Sequence, residues 1–275
     1  MSGSISLDWA STVSILQFDI TSYCNAACPG CARNVQGWKL APGVKLQHFD
    51  VNLFERIITQ DIKICRELMF NGNLGDPCMH PDLIKLVNIY SKFHPYGYFN
   101  MHTNGGARST KWWKDLAISL QNINHKITFS IDGLEDTNHL YRRNVNFEKL
   151  MSNLKAFIQS GGNAVWTMTL FDHNFHQLEE CKNLSKKIGC VGFIARKSFD
   201  GIDEVITDTE HYTINANKSL KELETIVYFD KTPSANMMNP IHKNDSNCPW
   251  YNDESVQIDA FHNVWPCCNI SSSYP

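Results

Sequence analysis

Residues 15–31 read ILQFDITSYCNAACPGC and join an apolar segment to three closely spaced cysteines. The apolar side chains of residues 15–20 predict a β-strand. Cys24, Cys28 and Cys31 follow it within eight residues. Thiolates are preferred ligands of iron–sulfur clusters and of zinc. The stretch therefore predicts a metal site where the first strand ends.

Strand-like and helix-like segments alternate from this stretch to residue 196. Further strands are predicted at residues 68–70, 98–101, 126–131, 164–170 and 191–195. Helical apolar stripes separate them, as in Leu83, Leu86, Val87 and Tyr90. This order predicts an α/β fold with a parallel sheet and helices outside it. Six units are too few for a closed eight-stranded barrel, so the pattern is consistent with an open partial barrel or a doubly wound sheet. In both architectures, ligands bind at the carboxyl ends of the strands.

Composition indicates an ordinary globular protein. The 275 residues carry a formal net charge of −3 and no long run of Lys or Arg, which gives nucleic acid no electrostatic support as a partner. The amino terminus lacks the basic start and apolar core of a secretory signal, and no apolar run approaches the roughly 20 residues that span a bilayer. We expect a cytoplasmic protein with neither a nucleic acid nor a membrane as partner.

The ten cysteines are unevenly distributed. In a cytoplasmic chain a cysteine cluster more often binds metal or takes part in catalysis than forms disulfides. A second group consists of Cys248, Cys267 and Cys268. The single cysteines are predicted to be structural: Cys65, Cys78, Cys181 and Cys190. Cys78 follows a Gly-Asp-Pro segment and could also lie near a site.

Three polar segments follow predicted strands. Residues 72–77, GNLGDP, allow close backbone approach and supply a carboxylate, although a plain turn is the simpler interpretation. Asn104 follows the third strand, where an Asx turn and a ligand contact are both consistent with the sequence. In the fourth predicted strand and just after it, Thr128, Ser130 and Asp132 alternate with apolar residues and therefore share one face.

The spacing C-x3-C-x2-C after the first strand resembles the cluster motif of the radical S-adenosylmethionine (SAM) superfamily. The resemblance implies a [4Fe–4S] cluster on Cys24, Cys28 and Cys31, with SAM chelating the open iron. Reductive cleavage of SAM then gives a 5′-deoxyadenosyl radical that abstracts a substrate hydrogen. Gly30 stands where many members have an aromatic residue. A structural zinc site is the alternative, but it normally needs a fourth ligand, and no Cys or His follows in the next dozen residues.

The resemblance also implies a fold and a set of SAM contacts. The fold is a partial (βα)6 TIM-like barrel with a small C-terminal β-hairpin extension that carries cysteines. Gly75, Asp76 and Pro77 match the segment that takes the SAM amino group, with Asp76 replacing the usual Glu. Further contacts are implied for Asn104, Ser130, Asp132 and Arg142, of which Ser130 and Arg142 would contact the ribose and carboxylate. Neighbouring Arg143 could take the role of Arg142.

Residues 259–267 resemble the start of a SPASM or twitch module, which holds auxiliary iron–sulfur clusters. Cys248, Cys267 and Cys268 are the candidate ligands of one such cluster; a fourth ligand is not identified, and His262 replaces the usual turn glycine. A zinc knuckle or free thiols are the alternatives. The predicted organisation is a radical SAM core at 1–196, a connecting segment at 197–245 with one helix near 219–227, and the SPASM/twitch-like module at 246–275.

The function implied is that of a radical SAM enzyme acting on a peptide or peptide-like substrate, with a reducing partner such as flavodoxin or ferredoxin. Only about a dozen residues precede the first strand, so no separate N-terminal peptide-recognition domain is expected. A small-molecule substrate is the enzymatic alternative. A zinc-binding protein without catalysis is the alternative from another class.

Overall fold

The computed structural model describes residues 13–35, 37, 39–62, 65–197, 225–228 and 255–265. Within these residues, nine strands form one sheet in the order β11-β10-β1-β4-β5-β6-β7-β8-β9. Its strands are β1 (Ile15–Phe18), β4 (Glu67–Phe70), β5 (Tyr98–Thr103), β6 (Asn124–Ser130), β7 (Ala164–Leu170), β8 (Gly192–Lys197), β9 (Thr225–Tyr228), β10 (Ser255–Ile258) and β11 (Val264–Trp265). A short antiparallel pair consists of β2 (Asn34–Val35) and β3 (Lys39–Leu40).

Helices connect the strands of the large sheet. They are α1 (Val51–Arg56), which continues as a π-helix (Ile57–Asp61), α2 (Leu83–Phe93), α3 (Thr110–Ser119), α4 (Asn138–Tyr141), α5 (Phe147–Gln159) and α6 (Leu178–Ile188). Single 3₁₀ turns lie at Pro77–Met79 and Phe175–Gln177.

Local signals set where these helices begin and end. Ser109 and Asn146 cap α3 and α5, because each side-chain oxygen accepts a backbone N–H of the first turn. Gly189 ends α6 in the left-handed conformation, with φ at +95°. The apolar stripe of α5 is buried, with Leu154 and Phe157 fully inaccessible. The helices are therefore held to the sheet by amphipathic packing.

Sheet order distinguishes between the two architectures that fit the sequence. The six strands β1, β4, β5, β6, β7 and β8 lie side by side in chain order and are parallel. A doubly wound sheet would instead reverse its strand order at a switch point. The predicted partial (βα)6 TIM-like barrel is thus confirmed, and the sheet is open because its edges are β11 and β9.

The core lies between the sheet and its helices. Trp113, Phe129 and Phe157 pack against one another there with ring centroids 5.0–5.9 Å apart. Alternate side chains of the same strands face the other side, where many are polar. Because strand side chains alternate between faces, one apolar face builds the core and the opposite face is left to line a cavity.

Two features of the C-terminal half differ from, or add to, the prediction. The helix predicted near 219–227 is wrong in the part that the structure describes, because Thr225–Tyr228 is strand β9, antiparallel to β8. The residues of this strand, Thr-Ile-Val-Tyr, have high β-propensity. The predicted strand and turn near 255–263 form the hairpin of β10 and β11, and His262 takes the left-handed backbone at φ +68°. Strand β10 adds in parallel to β1, so this hairpin belongs to the barrel sheet.

No described helix is long and apolar enough to cross a bilayer. The cysteines predicted to be structural are buried: Cys65, Cys78, Cys181 and Cys190. Cys248, Cys267 and Cys268 lie outside the described residues.

Candidate active site

A cavity of about 980 Å³ opens along the inner face of the barrel and the carboxyl ends of its strands. All three cysteines of the first group line it, and so do five of the seven residues predicted to contact SAM: Gly75, Asp76, Asn104, Ser130 and Arg142. Pro77 is buried at the start of a 3₁₀ turn, and Asp132 is buried behind Arg142. Neither of these two lines the cavity.

The cysteine loop follows β1 and is held from two sides. Cys31 N–H donates to the carbonyl of Cys28 at 3.2 Å, and Ala27 N–H donates to the carbonyl of Arg143 at 3.0 Å. Cys28 is buried, whereas Cys24 and Cys31 are half-buried. The loop therefore presents its thiols to the cavity from a backbone tied to the segment that follows β6.

Hydrogen-bond donors point at two of the sulfurs. Ala26 N–H lies 3.3 Å from Cys24 Sγ, and Asn104 Nδ2 lies 3.7 Å from the same atom. Arg142 Nη1 lies 3.7 Å from Cys28 Sγ. Burial raises the pKa of Cys24 to about 12, with a further contribution from the nearby Asp76 carboxylate, and burial also raises the pKa of Cys28. Such thiols favour a positively charged metal group that stabilises the thiolate.

The arrangement of the three cysteines fits an iron–sulfur cluster better than a single metal ion. In the part of the chain that the structure describes, no three Cys, His, Asp or Glu side chains converge closely enough to hold one metal ion. A cubane has no such requirement, because each of its cysteine ligands binds a different iron. N–H donors to the ligand sulfurs are a usual feature around such clusters. The three cysteines and their donors thus fit the predicted [4Fe–4S] cluster.

Asp76 is the centre of a buried hydrogen-bond cluster. Its Oδ1 accepts Cys78 N–H at 2.9 Å, and its two oxygens share the Thr103 hydroxyl at 3.0 and 3.1 Å. Its Oδ2 accepts both the backbone N–H of Asn104, at 2.7 Å, and the side-chain amide of Asn104, at 2.6 Å. Burial raises the pKa of Asp76, against these donors. The chain itself supplies four donor groups to this carboxylate, so Asp76 fixes Asn104 at the cavity wall.

Asn104 forms the Asx turn that the sequence allows, and it also lines the cavity. Its Oδ1 accepts Gly106 N–H at 2.9 Å, which is the Asx turn. Its amide group reaches Asp76, Asn25 and Cys24. The residue therefore forms a turn and also faces the cysteine loop.

Gly75 lets the segment after β4 approach β1. A Cβ at this position would lie 2.1 Å from the carbonyl oxygen of Thr21 and 2.8 Å from that of Tyr23. Asp76 N–H donates to the carbonyl of Tyr23 at 2.8 Å. The close approach sets Asp76 beside the cysteine loop, and only glycine permits it.

Arg142 reaches the cavity because α4 ends at Tyr141. Its Nε donates to Asp132 Oδ2 at 2.6 Å, while Asp132 Oδ1 accepts Thr169 N–H at 2.6 Å. Burial opposes the charge of the guanidinium, but Asp132 and the Cys28 thiol raise the pKa of Arg142 overall. Of the two adjacent arginines, Arg142 lines the cavity and Arg143 does not.

Several cavity residues were absent from the predicted set. They come from the inner faces of six strands or their ends: Gln17, Asn71, Asn100, His102, Lys126, Thr128, Thr167, Thr169 and Arg196. The period-two alternation that identified Thr128 and Ser130 is also present in β5 and β7, as Asn100/His102 and Thr167/Thr169. That signal could have identified the cavity-lining residues of β5 and β7 as well as those of β6.

Residues 18–184, more than half of the chain, match the Radical SAM superfamily. The chain belongs to the radical SAM superfamily. The family inferred from the cysteine motif is thereby confirmed. No curated protein sequence matches the chain.

Solved structures with the same fold include two radical SAM neighbours. SuiB from Streptococcus suis bound to S-adenosylmethionine is 14% identical, with a TM-score of 0.62 over 93% of this chain and 60% of that one. SuiB bound to precursor peptide SuiA gives a TM-score of 0.61 over 96% of this chain and 61% of that one. The anSMEcpe structure with AdoMet and the Cp18Cys peptide is 15% identical, with a TM-score of 0.53 over 73% and 54%. This radical SAM chain thus spans about 60% of the length of SuiB, and at these identities the likeness is one of fold.

Proposed function

We propose that the chain is a radical SAM enzyme with a [4Fe–4S] cluster on Cys24, Cys28 and Cys31, and that its substrate is a peptide or peptide-like molecule. The observation that carries the proposal is the convergence of these three thiols with Asp76, Asn104 and Arg142 on one cavity at the carboxyl ends of parallel strands. Family membership over residues 18–184 supports the same chemistry. When bound, the cluster would supply one electron for the cleavage of SAM to methionine and a 5′-deoxyadenosyl radical.

The chain's own residues would orient SAM and tune the site. Arg142 carries a planar fork that suits the SAM carboxylate, and Asp132 keeps it in place. Asp76 fixes the Asn104 amide, whose N–H lies beside Cys24 Sγ. Ser130 follows on the rim and would contact the ribose. Because Gly75 has no side chain, backbone atoms line the cavity wall where the SAM amino group would bind.

Two fold neighbours support a peptide substrate. SuiB has been solved with precursor peptide SuiA, and anSMEcpe with the Cp18Cys peptide. The cavity of about 980 Å³ lies at the upper end of the range for small-molecule sites, so it can hold SAM with part of a second molecule. One-electron reduction would come from a flavodoxin or ferredoxin.

The proposal extends to an auxiliary cluster near the chain's end. The hairpin of β10 and β11 lies beside β1, and in the sequence Cys267 and Cys268 follow its last residue, Trp265, after Pro266. With Cys248 they would supply three thiolates, and the 246–275 module would then follow the 1–196 core and a connecting segment. Iron beyond four atoms per chain after anaerobic reconstitution supports this part, whereas four or fewer contradicts it.

The test of the radical chemistry is isotopic. Anaerobically reconstituted protein would be incubated with SAM, a reductant and a peptide encoded beside its gene, deuterated at its side chains. Transfer of deuterium into 5′-deoxyadenosine identifies the peptide as the hydrogen donor. If unlabelled 5′-deoxyadenosine forms and the peptide is unchanged, a panel of small metabolites replaces the peptide, and the peptide assignment fails. Zinc in place of iron, without SAM binding, contradicts the enzyme altogether.

A further inference from the structure

The cavity extends from the carboxyl ends of the strands into the barrel, along the inner faces of β5 and β6. Asn100 and His102 line it from β5, and Lys126 and Thr128 line it from β6. Asn100 pairs in register with Lys126, and His102 pairs with Thr128. Paired residues of neighbouring parallel strands point to the same face and lie about 4.8 Å apart. The sheet therefore sets the side chains of Asn100 and Lys126 next to each other, and we call these two residues the inner pair.

The inner pair lies deeper in the barrel than the proposed SAM contacts. Lys126 precedes Ser130 by four residues on β6, which corresponds to roughly 13 Å along a strand. Thr128 lies between them on the same face. The proposed SAM contacts therefore leave the inner pair available to a second molecule, the substrate.

Lys126 is an unpaired hydrogen-bond donor in this cavity. Its ammonium group forms no hydrogen bond or ion pair with another residue that the structure describes. Burial lowers the pKa of Lys126, the Glu67 carboxylate opposes this effect, and Arg196 lowers the pKa further. Burial raises the pKa of Glu67, against the hydrogen bond from Asn100 and the charge of Lys126. A nearby carboxylate thus offsets the charge of Lys126, while its N–H groups remain unpaired.

Asn100 contributes an unpaired acceptor to the inner pair. Its Nδ2 lies 3.5 Å from Glu67 Oε1, and because a carboxylate accepts hydrogen bonds, the nitrogen of this amide is the end that faces Glu67. The residue is 4% exposed, and its Oδ1 has no hydrogen-bond partner among the described residues. A buried polar atom without a partner costs free energy and, in a native site, indicates a ligand or an ordered water.

His102 adds a neutral group nearer the carboxyl ends of the strands. Burial, and then the charges of Lys126 and Arg196, lower the pKa of His102 to about 4, so this imidazole is neutral at pH 7. Neither of its ring nitrogens forms a hydrogen bond within the described part of the chain. A neutral imidazole offers one donor and one acceptor. This part of the cavity therefore combines donors with acceptors, which suits an uncharged polar group.

We propose that the inner pair binds a carboxamide group of the substrate, with Lys126 donating to its oxygen and Asn100 Oδ1 accepting its N–H. The inference rests on the proposed function, because it assigns a chemical class to the substrate of that enzyme. A carboxylate would also match Lys126, but it would bring a second acceptor against Asn100 Oδ1 and a like charge toward Glu67, so the site favours the carboxamide. In a peptide, the group is an Asn or Gln side chain or a backbone peptide unit.

The test measures peptide binding without turnover. Anaerobically reconstituted full-length protein with SAM would be titrated with acetyl-Ala-Gln-Ala-dimethylamide, whose only primary carboxamide is that of Gln, and binding would be followed by ligand-detected NMR. The peptides with Glu or Met in place of Gln have a side chain of similar length. We expect the Gln peptide to bind about tenfold more tightly than either, which corresponds to about 1.4 kcal/mol.

A second set of peptides distinguishes the two sources of the group. If the inner pair binds a backbone peptide unit, the Gln, Glu and Met peptides bind alike. N-methylation of one peptide bond should then weaken binding by about the same factor of ten, because it removes the N–H that Asn100 accepts.

Variants locate the preference. Lys126→Met removes the donor and Asn100→Leu removes the acceptor, each with a side chain of similar size, and each should reduce the preference several-fold. Lys126→Arg retains a donor and should keep most of it. Lys111→Met, at an exposed lysine paired with Asp115 on α3, is the matched control and should leave binding unchanged. Circular dichroism confirms folding, and either of the first two variants suffices for the test if the other does not fold.

Three results would overturn the proposal. The first is wild type that binds the Gln, Glu and Met peptides equally and also tolerates each N-methylation, or that binds none of them at millimolar concentration. The second is tighter binding of the Glu peptide than of the Gln peptide. The third is a preference that persists in both Lys126→Met and Asn100→Leu.

These outcomes are separate from SAM cleavage, which is assayed in wild type as 5′-deoxyadenosine. Absence of that product would count against the proposed function, whereas loss of the carboxamide preference in an active enzyme would count against the inner pair alone.

Discussion

Arg142 donates through Nε to Asp132 Oδ2 at 2.6 Å, and the same guanidinium lies 3.7 Å from Cys28 Sγ. The Asp132 side chain is fully buried, and that of Arg142 is 17% exposed. The pair thereby connects the end of β6 to the cysteine loop. An arginine held in this way keeps its charge and its direction, which a SAM-carboxylate contact requires.

Removing the negative charge of this pair should destabilise the protein. Asp132→Asn leaves the buried Arg142 cation without its partner, and we expect a loss of about 3 kcal/mol in the free energy of unfolding. Urea unfolding followed by circular dichroism measures it. Asp115→Asn, in the exposed Lys111–Asp115 pair, is the control and should cost no more than about 0.5 kcal/mol. Equal losses of unfolding free energy in both variants would show that the buried Asp132–Arg142 pair stabilises the fold no more than the exposed pair does.

Asp76→Asn should weaken SAM binding. An amide cannot accept all four donor groups that surround this carboxylate, so Asn104 would lose its position beside Cys24. We expect SAM affinity to fall at least about tenfold, the equivalent of one charge-assisted hydrogen bond, with iron content unchanged. Equilibrium dialysis with labelled SAM measures the affinity. The exposed Asp82, whose side chain does not cap α2, supplies the control Asp82→Asn, and an Asp76 variant with wild-type affinity would refute the role of this cluster.

Gly75→Ala should displace the segment after β4. The new methyl group would overlap the carbonyl oxygen of Thr21, a backbone atom that cannot rotate away. We expect SAM binding to be lost. Gly161→Ala is the matched control: its nearest neighbour is Gln121 Nε2 at 4.0 Å, so only the left-handed backbone at φ +91° is strained, at about 1 kcal/mol. SAM binding by Gly75→Ala at the level of the control would contradict the steric argument.

Stability should depend on pH through Asp19. Burial, and then the charge of Asp259 against the hydrogen bonds from Asn73 and Gln257, raise the pKa of Asp19 from 3.8 to about 7. The folded state thus holds a proton that the unfolded state has released between about pH 4 and 7, so stability falls as pH rises through this window. Across this window, the free energy of unfolding of wild type should fall by about 1.4 kcal/mol per pH unit because of Asp19, and Asp19→Asn should lack this contribution. Urea unfolding of both proteins at pH 5 and pH 6.5 measures the difference, and parallel pH profiles would contradict the raised pKa.

Local patterns predicted most of the barrel, whereas non-local pairing did not follow from them. The alternation in residues 126–131 identified β6 and its polar face, because period two is a property of the strand itself. The position of β10 beside β1 brings together residues about 240 apart in sequence, and no local pattern encodes such a pairing. Thr225–Tyr228 illustrates a second difficulty. A short apolar run is consistent with either a helix or a strand, and only its pairing with β8 identifies this one as a strand.

The candidate site was predicted at its rim and not in its interior. The spacing of Cys24, Cys28 and Cys31 identifies a family, and each thiol lines the cavity. The choice between Arg142 and Arg143 depends on α4 ending at Tyr141, which turns only the first arginine toward Asp132. Lys126 and Arg196 line the same cavity from β6 and β8, which have β7 between them, and their sequence positions alone carry no such signal.

The most direct test of the central claim is the production of 5′-deoxyadenosine. Wild type and the Cys24→Ala/Cys28→Ala/Cys31→Ala variant would be reconstituted anaerobically with iron and sulfide, and then treated with dithionite, SAM and the peptides and metabolites described above. The account predicts 5′-deoxyadenosine from wild type and none from the variant, which should also contain about four fewer iron atoms per chain. A fully loaded wild type that makes none with any of these compounds, or a triple variant that makes as much as wild type, would contradict it.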